Sequence, residues 1–473
     1  MTDLTVDAVV MGAGLAGITC ALRLAQAGKS VLVAEKGKDE RYPCNTRMSG
    51  GVFHVCLTDI LSDPALLKGR ILEETGYSAR EDLAEAVATD AIRAVRWLQN
   101  QGIRFVKGSP DPWHNFVLAP PAINRIGGST EGRSGDVLLR TLERQLLDLG
   151  GELHRGLHGQ QLVGDAGRCL GMTALQENGQ SVTILAGATI ICDGGFQSNS
   201  DLLRENISAL PERLLQRNSG QSVGDGLKMV SAFGGKVTDL SGFYGHLQSA
   251  PSAQDSRYWP YPWLDYLALA GIVVDAYGRR FCDEGLGGVS IANAVARQPD
   301  PDKVWVIFDH NIWEGPGRAR FIPPNPNLLD LEGAVIQSDT LSELADRIAL
   351  PAENLCETVI SHNSAIAKND GSSLTPCRSF TPQNLWPIEE APYFAAPIIA
   401  GITHTMGGIE IDANSQVLSA TKDSIPIPGL YAAGACTGGL EGGEKPGYVG
   451  GLVKSAVTGL RASEQILRDP QLV

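Results

Sequence analysis

At 473 residues the chain has room for two domains with substantial cores, and 43% hydrophobic with 19% charged residues is an ordinary globular balance. A formal net charge of −14, with no Lys/Arg cluster to offset it, argues against a nucleic-acid surface. Nine scattered cysteines fit a reducing compartment and not a disulfide framework. They include no CxxCH haem site and no CxxC pair, and no metal-ligand spacing is visible. No basic-then-apolar leader and no apolar run near the ~20 residues of a membrane span is visible, so the expectation is a soluble, cytoplasmic protein.

Thr5–Met11 is an apolar, β-branched run that predicts a buried parallel strand. Gly12-Ala13-Gly14-Leu15-Ala16-Gly17 follows, then a helix over Ile18–Ala27 closed by Gly28, then a strand over Ser30–Ala34 that ends at Glu35. This is a βαβ start carrying a GxGxxG loop. The first glycines let the backbone meet a pyrophosphate, and Gly17 allows close helix–strand packing. The helix N-terminus offers free N–H groups and partial positive charge. Glu35 is placed to accept hydrogen bonds from the ribose hydroxyls of an adenosine.

Further on, Ser78-Ala-Arg-Glu81 reads as a capping box opening a helix to about Gln101. Leu139, Leu142, Leu146 and Leu149 recur at helical spacing before the Gly150-Gly151 stop. Val182–Cys192 predicts a strand leading into Asp193-Gly194-Gly195-Phe196. Residues 241–398 change character, with Tyr258, Tyr261 and Tyr266, prolines near 322–327, and mixed helix and strand signals. They predict an inserted α+β capping domain, with 1–240 and 399–473 forming one discontinuous domain. Tyr431–Gly434 returns to a strand-plus-glycine pattern, and Leu452–Leu467 predicts a closing helix.

The dinucleotide is expected to be FAD. No second strand–GxGxxG–helix unit exists for a nicotinamide cofactor, and no close cysteine pair exists for a flavin-linked disulfide. Glycine clusters recur at Ser49-Gly50-Gly51, Asp193-Gly194-Gly195, Gly224-Asp225-Gly226, Gly438-Gly439 and Gly450-Gly451. A large flat flavin must be touched by backbone from several chain segments, so this dispersion suits it. The segment Ile402-Thr-His404-Thr-Met-Gly407-Gly408 sets an imidazole beside two glycines. The imidazole can polarise a substrate oxygen, and the glycines let backbone approach a flat ring. The expected fold class is α/β, a Rossmann-like FAD-binding domain of glutathione-reductase type with the α+β cap inserted.

These residues resemble the flavoprotein family of fumarate reductase and succinate dehydrogenase, in the soluble branch of 3-ketosteroid Δ1-dehydrogenase and tricarballylate dehydrogenase. The resemblance rests on Gly12–Gly17 with Glu35, Asn45-Thr46 before Ser49-Gly50-Gly51, and Asp193-Gly-Gly-Phe196 with Asn199. Gly224-Asp225-Gly226, Gly278-Arg-Arg-Phe281 with Asp283-Glu284, His404-Thr-Met-Gly-Gly408 and Gly429-Leu-Tyr-Ala-Ala-Gly434 complete it. It implies non-covalent FAD held by these segments, together with Lys36 after Glu35 and Gly450-Gly451-Leu452-Val453 at the start of the last helix. That N-terminus would face the flavin pyrimidine edge, where the reduced ring carries negative charge. It also implies substrate between cap and flavin.

The chain departs from that family at two positions. Where fumarate reductases carry a proton-donating arginine, four residues after the motif glutamate, this chain has Gly288. Where a second arginine clamps a carboxylate, it has Tyr448. Such charge-assisted contacts are worth roughly 1.5–3 kcal/mol each, which makes a fumarate-like dicarboxylate a poor substrate. By resemblance His404 holds a substrate oxygen and His246, in Phe-Tyr-Gly-His, is a second substrate histidine. Tyr448 either moves a proton or walls the pocket, and Glu444 and Lys445 are alternatives for the proton. Lys454, one turn into the last helix, is expected to be solvated or paired, and Tyr258, Tyr261 and Tyr266 to pack. Cys44 lies near where some relatives attach flavin covalently.

The expected activity is FAD-dependent dehydrogenation of a CH–CH bond, or reduction of a C=C bond, next to a carbonyl or carboxyl group. The substrate would be a small molecule. Electrons would pass to or from a separate carrier: a protein, quinone, dye or oxygen. Two alternatives stand beside it, a flavin oxidase or monooxygenase acting on C–O or C–N bonds and a non-catalytic flavoprotein subunit of an electron-transfer complex.

Overall fold

The Rossmann-like core is built on the strand Thr2–Met11, whose Ala8, Val9, Val10 and Met11 are all buried. It pairs in parallel with Val31–Glu35 on one side and Ser181–Ile191 on the other. Glu152–Arg155 and Pro426–Ala432 extend the parallel sheet outward, and Gln416–Leu418 adds an antiparallel edge. A meander of His158–Asp165 and Arg168–Leu175 joins through Ser181–Ile191. The computed structural model describes residues 2–122, 130–165, 167–258, 262–318, 325, 328–421, 423–443 and 445–469. Among them, no helix is long and apolar enough to cross a membrane.

The first helix runs Leu15–Ala25, earlier than the expected Ile18, because Gly14 is itself the N-cap and the glycine loop leads straight into the helix. The closing helix, Gly451–Arg468, packs against it. Two local expectations fail. The helix Glu81–Asn100 has Arg80 as its N-cap, and Ser78 caps nothing. The Ser78 hydroxyl is bonded to the carbonyls of Thr75 (2.7 Å) and Gly442 (3.0 Å), tying two loops together. Leu149 lies just past the helix Ser134–Asp148 and is 52% exposed, whereas Leu139, Leu142 and Leu146 are buried.

The main run of the second sheet is antiparallel: Phe243–Ser249, Tyr393–Thr405, Trp305–Phe308 and Ile272–Val274 in that order. Its long strand Tyr393–Thr405 runs unbroken through the expected boundary at 398/399. Leu215–Gln216, from before residue 241, also pairs with it. The cap sheet therefore draws on residues outside 241–398, because its hydrogen-bond ladder continues to Thr405. Tyr258 lies in a turn with its hydroxyl bonded to the Asp330 carbonyl at 3.2 Å, and Tyr266 is in the helix Asp265–Ala270. Tyr261 and the prolines near 322–327 fall outside the described residues.

Candidate functional site

A cleft opens where the C-terminal ends of the parallel strands meet the first helix. Gly12, Ala13, Gly14, Leu15, Ala16, Glu35 and Lys36 line one side of it. Gly14 supplies no side-chain cap, so beyond the Leu15 N–H, which Thr46 takes, first-turn N–H groups of the helix are left for an anion. A Cβ on Gly17 would overlap the Gly12 carbonyl, so only glycine lets the helix sit this close to the loop. Glu35 accepts N–H bonds from Ala13 (2.9 Å) and Gly37 (2.7 Å), which shapes the turn while its remaining lone pairs stay available. Burial raises its pKa against those two bonds.

Other segments staple the loop in place. Thr46 Oγ1 accepts the Leu15 N–H at 3.1 Å, and Asn45 bridges the Thr403 carbonyl and the Ser219 N–H. Tyr42 donates to the Ala13 carbonyl or to Glu143, and Arg47 is buried between Asp136 and Glu143. Asp193 accepts the Gly226 N–H through Oδ2, while Oδ1 is buried with no hydrogen-bond partner. Burial, partly countered by that N–H bond, pushes its pKa up to about 7.

A second cluster lies between the cap sheet and the start of the last helix. Tyr244 and His404 are cross-strand partners, with ring centroids 5.2 Å apart. Tyr244 stacks on Tyr448 at 3.6 Å and 12° between planes, and His246 stacks on Trp263 at 3.9 Å and 12°. His246 Nδ1 is 2.6 Å from Asp265 Oδ2, and its Nε2 is 2.9 Å from the Tyr244 hydroxyl. The Tyr448 hydroxyl accepts the Gly451 N–H at 3.0 Å. Burial raises the Tyr448 pKa, the Gly451 bond opposes it, and the nearby Glu441 charge raises it further, so the phenol is held protonated.

Under this cluster sits a buried ion pair. Glu441, with no exposed side-chain surface, is 3.2 Å from Lys454 Nζ and 3.8 Å from His404 Nε2. Lys454 also donates to the Thr437 carbonyl at 2.8 Å. Burial would raise the Glu441 pKa, but Lys454, the neighbouring His404 and the Val449 N–H outweigh it and hold the carboxyl well below the usual carboxylate range. His54 completes the wall edge-on to Tyr448, accepting the Leu57 N–H through Nδ1. Burial, with the charge of His114, lowers its pKa to about 4.

That shift predicts a pH dependence. The neutral imidazole is favoured in the folded chain, so the unfolded chain binds the proton first. The His54 contribution is complete above pH 6.5 and falls away as the pH drops toward 4, by about 3 kcal/mol in all. His54→Gln should flatten the acid limb of a stability-versus-pH curve measured by urea denaturation. An unchanged limb would contradict this assignment.

The FAD binding domain family matches residues 7–447. The chain belongs to that family. FAD is its cofactor, and the cleft suits it: helix N–H groups with no side-chain cap for the pyrophosphate, Glu35 for the ribose, and a lining Asp193 whose Oδ1 has no hydrogen-bond partner. The chain is 30% identical over 361 residues to 4-oxocyclohex-2-ene-1-carboxylate 5-dehydrogenase of Sinomonas cyclohexanicum, covering 71% of this chain and 60% of that protein. It is 24% identical over 370 residues to NADH:acrylate oxidoreductase of Vibrio harveyi, covering 77% of this chain but 35% of the relative. It thus spans less than two thirds of both relatives. In fold it is similar to the 3-ketosteroid-delta4-(5alpha)-dehydrogenase from Rhodococcus jostii, with a TM-score of 0.73 at 22% identity, covering 98% and 97% of the two chains.

Of the residues expected to hold FAD, Gly12–Ala16, Glu35, Lys36, Asn45, Thr46, Asp193, Gly194 and Gly434 line the cleft. The others are placed outside the cleft lining. Asn199 is the N-cap of the helix Ser200–Asn206, and its amide donates to the Val223 carbonyl. Asp225 is tied to Lys36 (3.1 Å) and His158 (2.9 Å). Ser49 bonds the Thr46 carbonyl. The Cβ positions of Gly51, Gly195 and Gly224 point into neighbouring side chains, and Gly50 does not line the cleft. Those of Gly407 and Gly408 would strike the carbonyls of Asp239 and Cys436, so these glycines let chain segments cross closely here. Gly450, Gly451, Leu452 and Val453 lie outside this cleft, at the head of the last helix beside His404 and Tyr448.

Lys445 is turned away from the imidazoles, its Nζ donating to the Glu73 carbonyl at 3.2 Å, and Glu444 lies outside the described residues. The carboxylate that does reach His404 is Glu441, an acid framed by glycines that the sequence reading passed over. Lys454 is paired and 2% exposed, not solvated. Sequence reasoning also missed Tyr244 and Asp265. The signal for Tyr244 was its i, i+2 spacing from His246 on one strand.

The motif glutamate has a supporting role. Glu284 is fully buried, paired with Arg280 at 2.5 Å, and also accepts the Val273 N–H. Arg280→Ala would leave Arg378 Nη1, 3.8 Å away, as the remaining cation facing that charge, and should cost roughly 3 kcal/mol in thermal or denaturant unfolding, the low end for a broken buried pair. A loss below about 1 kcal/mol would mean Glu284 is neutral or rehydrated.

Proposed function

We propose that this chain is an FAD-dependent oxidoreductase of CH–CH or C=C bonds activated by an adjacent carbonyl or carboxyl group. The observation that carries the reading is the convergence of His404 and Tyr448 at the head of the last helix. A Cβ on Gly451 would lie 3.6 Å from His404 Cε1 and 3.8 Å from the Tyr448 hydroxyl. Bound FAD supplies the two-electron acceptor or donor. His404 and Tyr448 hold and polarise the substrate oxygen. Tyr448 accepts from Gly451 N–H, which leaves its own O–H to donate and strengthens it as a donor. Tyr448 thus serves as an oxygen donor and not as the base, since its phenolate is disfavoured.

An aromatic wall of Tyr244, Tyr448, Trp263 and His54 favours a flat, largely apolar substrate, and a ring ketone fits it better than a dicarboxylate. The Sinomonas relative, a dehydrogenase of 4-oxocyclohex-2-ene-1-carboxylate, supports this reading. The test is anaerobic bleaching of the bound flavin by cyclohexanone, cyclohexanecarboxylate, 3-phenylpropionate and succinate, with reoxidation of photoreduced enzyme by cyclohex-2-enone and acrylate. A ring ketone or its enone should react fastest and succinate poorly. Rapid bleaching by succinate would refute the substrate argument. Failure of every compound, with fast air reoxidation and stoichiometric peroxide, would favour an oxidase.

FAD is held without a covalent bond in this reading. Burial pushes the Cys44 thiol up to about 12, so it is a poor nucleophile toward the ring. Acid precipitation should leave all yellow colour in the supernatant, and colour in the pellet would contradict it. Nine free cysteines are consistent with a cytoplasmic enzyme. Electrons leave or arrive through a separate carrier.

A further inference from the structure

Asp265, His246 and Tyr244 form a line of hydrogen bonds ending in the aromatic cluster. Asp265 Oδ2 is 2.6 Å from His246 Nδ1, and His246 Nε2 is 2.9 Å from the Tyr244 hydroxyl. Each member is fixed from outside the line. Asp265 Oδ1 accepts the Leu247 N–H at 2.8 Å, His246 is stacked on Trp263, and Tyr244 is stacked on Tyr448. Tyr244 and His246 sit two apart on one strand, and Tyr244 is the cross-strand partner of His404. The bare Cα of Gly288 is what admits the carboxylate, because any Cβ there would overlap Asp265.

The geometry points to a Tyr244–His246–Asp265 proton relay that serves the carbon next to the activating carbonyl. We therefore assign Tyr244 as the group that exchanges the second proton, His246 as its acid/base partner and Asp265 as the positioning residue. This rests on the proposed function, and names the proton path that the function leaves open.

In the dehydrogenation direction the α C–H bond breaks and its electron pair moves toward the C–C bond that becomes double. The proton goes to the Tyr244 oxygen as the tyrosine's own proton passes to His246 Nε2. With FAD bound, the β-carbon would give up a hydride to that two-electron acceptor, so that two electrons and two hydrogens leave the substrate. Reduction of the alkene runs the same transfers backwards. Asp265 holds the Nδ1–H tautomer, leaving Nε2 free to take the proton, and then balances the imidazolium. Burial raises the Tyr244 pKa well above its ordinary value, which disfavours a standing phenolate and favours transfer in step with the imidazole. Burial also lowers the His246 pKa, Asp265 opposes this and Arg217 adds to it, so the ring rests neutral as a base must. Tyr448 stacks on the relay without joining it: its oxygen accepts the Gly451 N–H, and its own O–H is the donor kept for the substrate oxygen.

The experiment compares wild type with Tyr244→Phe, Asp265→Asn and the double variant, each loaded with FAD and checked by its flavin spectrum and dithionite titration. One readout is the rate of flavin bleaching by the fastest compound of the panel above. The other is loss of deuterium from the α positions of [2,2,6,6-D4]cyclohexanone, which needs no hydride transfer. Each single variant should lose about 10²- to 10⁴-fold in bleaching rate, the range for a general acid–base group, with KM little changed. Deuterium washout should fall in parallel, and the double variant should be no worse than either single one, as expected of groups acting as a unit. Singles within about threefold of wild type, or losses that multiply in the double variant, would overturn the relay while leaving the proposed function intact. Wild type that neither bleaches nor exchanges would instead overturn the proposed function, and the relay with it.

Discussion

Lys454→Met is expected to be the most damaging single change in the site. Glu441 has no exposed side-chain surface, and Lys454 is the cation that faces it at 3.2 Å. Removing one partner of a buried pair leaves an uncompensated charge, a loss of roughly 3–5 kcal/mol. The Glu441 carboxyl would then be drawn upward in pKa by burial, with His404 Nε2 at 3.8 Å and the Val449 N–H left as its polar neighbours. Two measurements check this. The urea midpoint should fall sharply at pH 7, and part of the loss should be recovered in Lys454→Met/Glu441→Gln, where neither charge remains. A double variant as unstable as the single one would contradict the pairing argument.

Gly17→Ala should cost the cofactor before it costs the fold. The new Cβ would overlap the Gly12 carbonyl and lie 3.1 Å from Val10 Cγ1, so helix and loop must separate. Overpacking of this kind costs about 1–3 kcal/mol, and here it falls on the turn that presents N–H groups to the pyrophosphate. The variant should purify pale, with FAD affinity reduced about 10-fold or more by fluorescence titration, since 1.4 kcal/mol is a factor of ten. Wild-type affinity would mean that the helix can slide without disturbing the loop.

The difference between these two residues marks what the sequence could carry. Gly17 was legible because its constraint is local: a short glycine loop joins the strand Thr2–Met11 to the helix Leu15–Ala25. Glu35 was legible for the same reason, as the end of the adjacent strand. Lys454 and Glu441 are thirteen residues apart across a loop and a helix start, and their partner His404 comes from a strand that begins in the cap. No spacing rule connects them. Asp265 looked like an ordinary acid in the first turn of a short helix, and only the antiparallel register brings that turn beneath His246. Asn199 carries two signals at once: its place after a glycine cluster suggests a cofactor contact, and an Asn before Ser-Asp-Leu is also a good helix cap, which is the bond its side chain makes. Ser78 failed because two loop carbonyls compete for its hydroxyl.

The central claim is that a carbon–carbon bond beside a polarised oxygen exchanges hydrogen with the bound flavin. The most direct measurement is stopped-flow bleaching under anaerobic conditions by cyclohexanone and by its [3,3,5,5-D4] form, with product analysis. The account predicts several-fold slower bleaching by the deuterated ketone and cyclohex-2-enone as the product. Equal rates for the two ketones, or a product carrying a new C–O bond in place of the alkene, would contradict it.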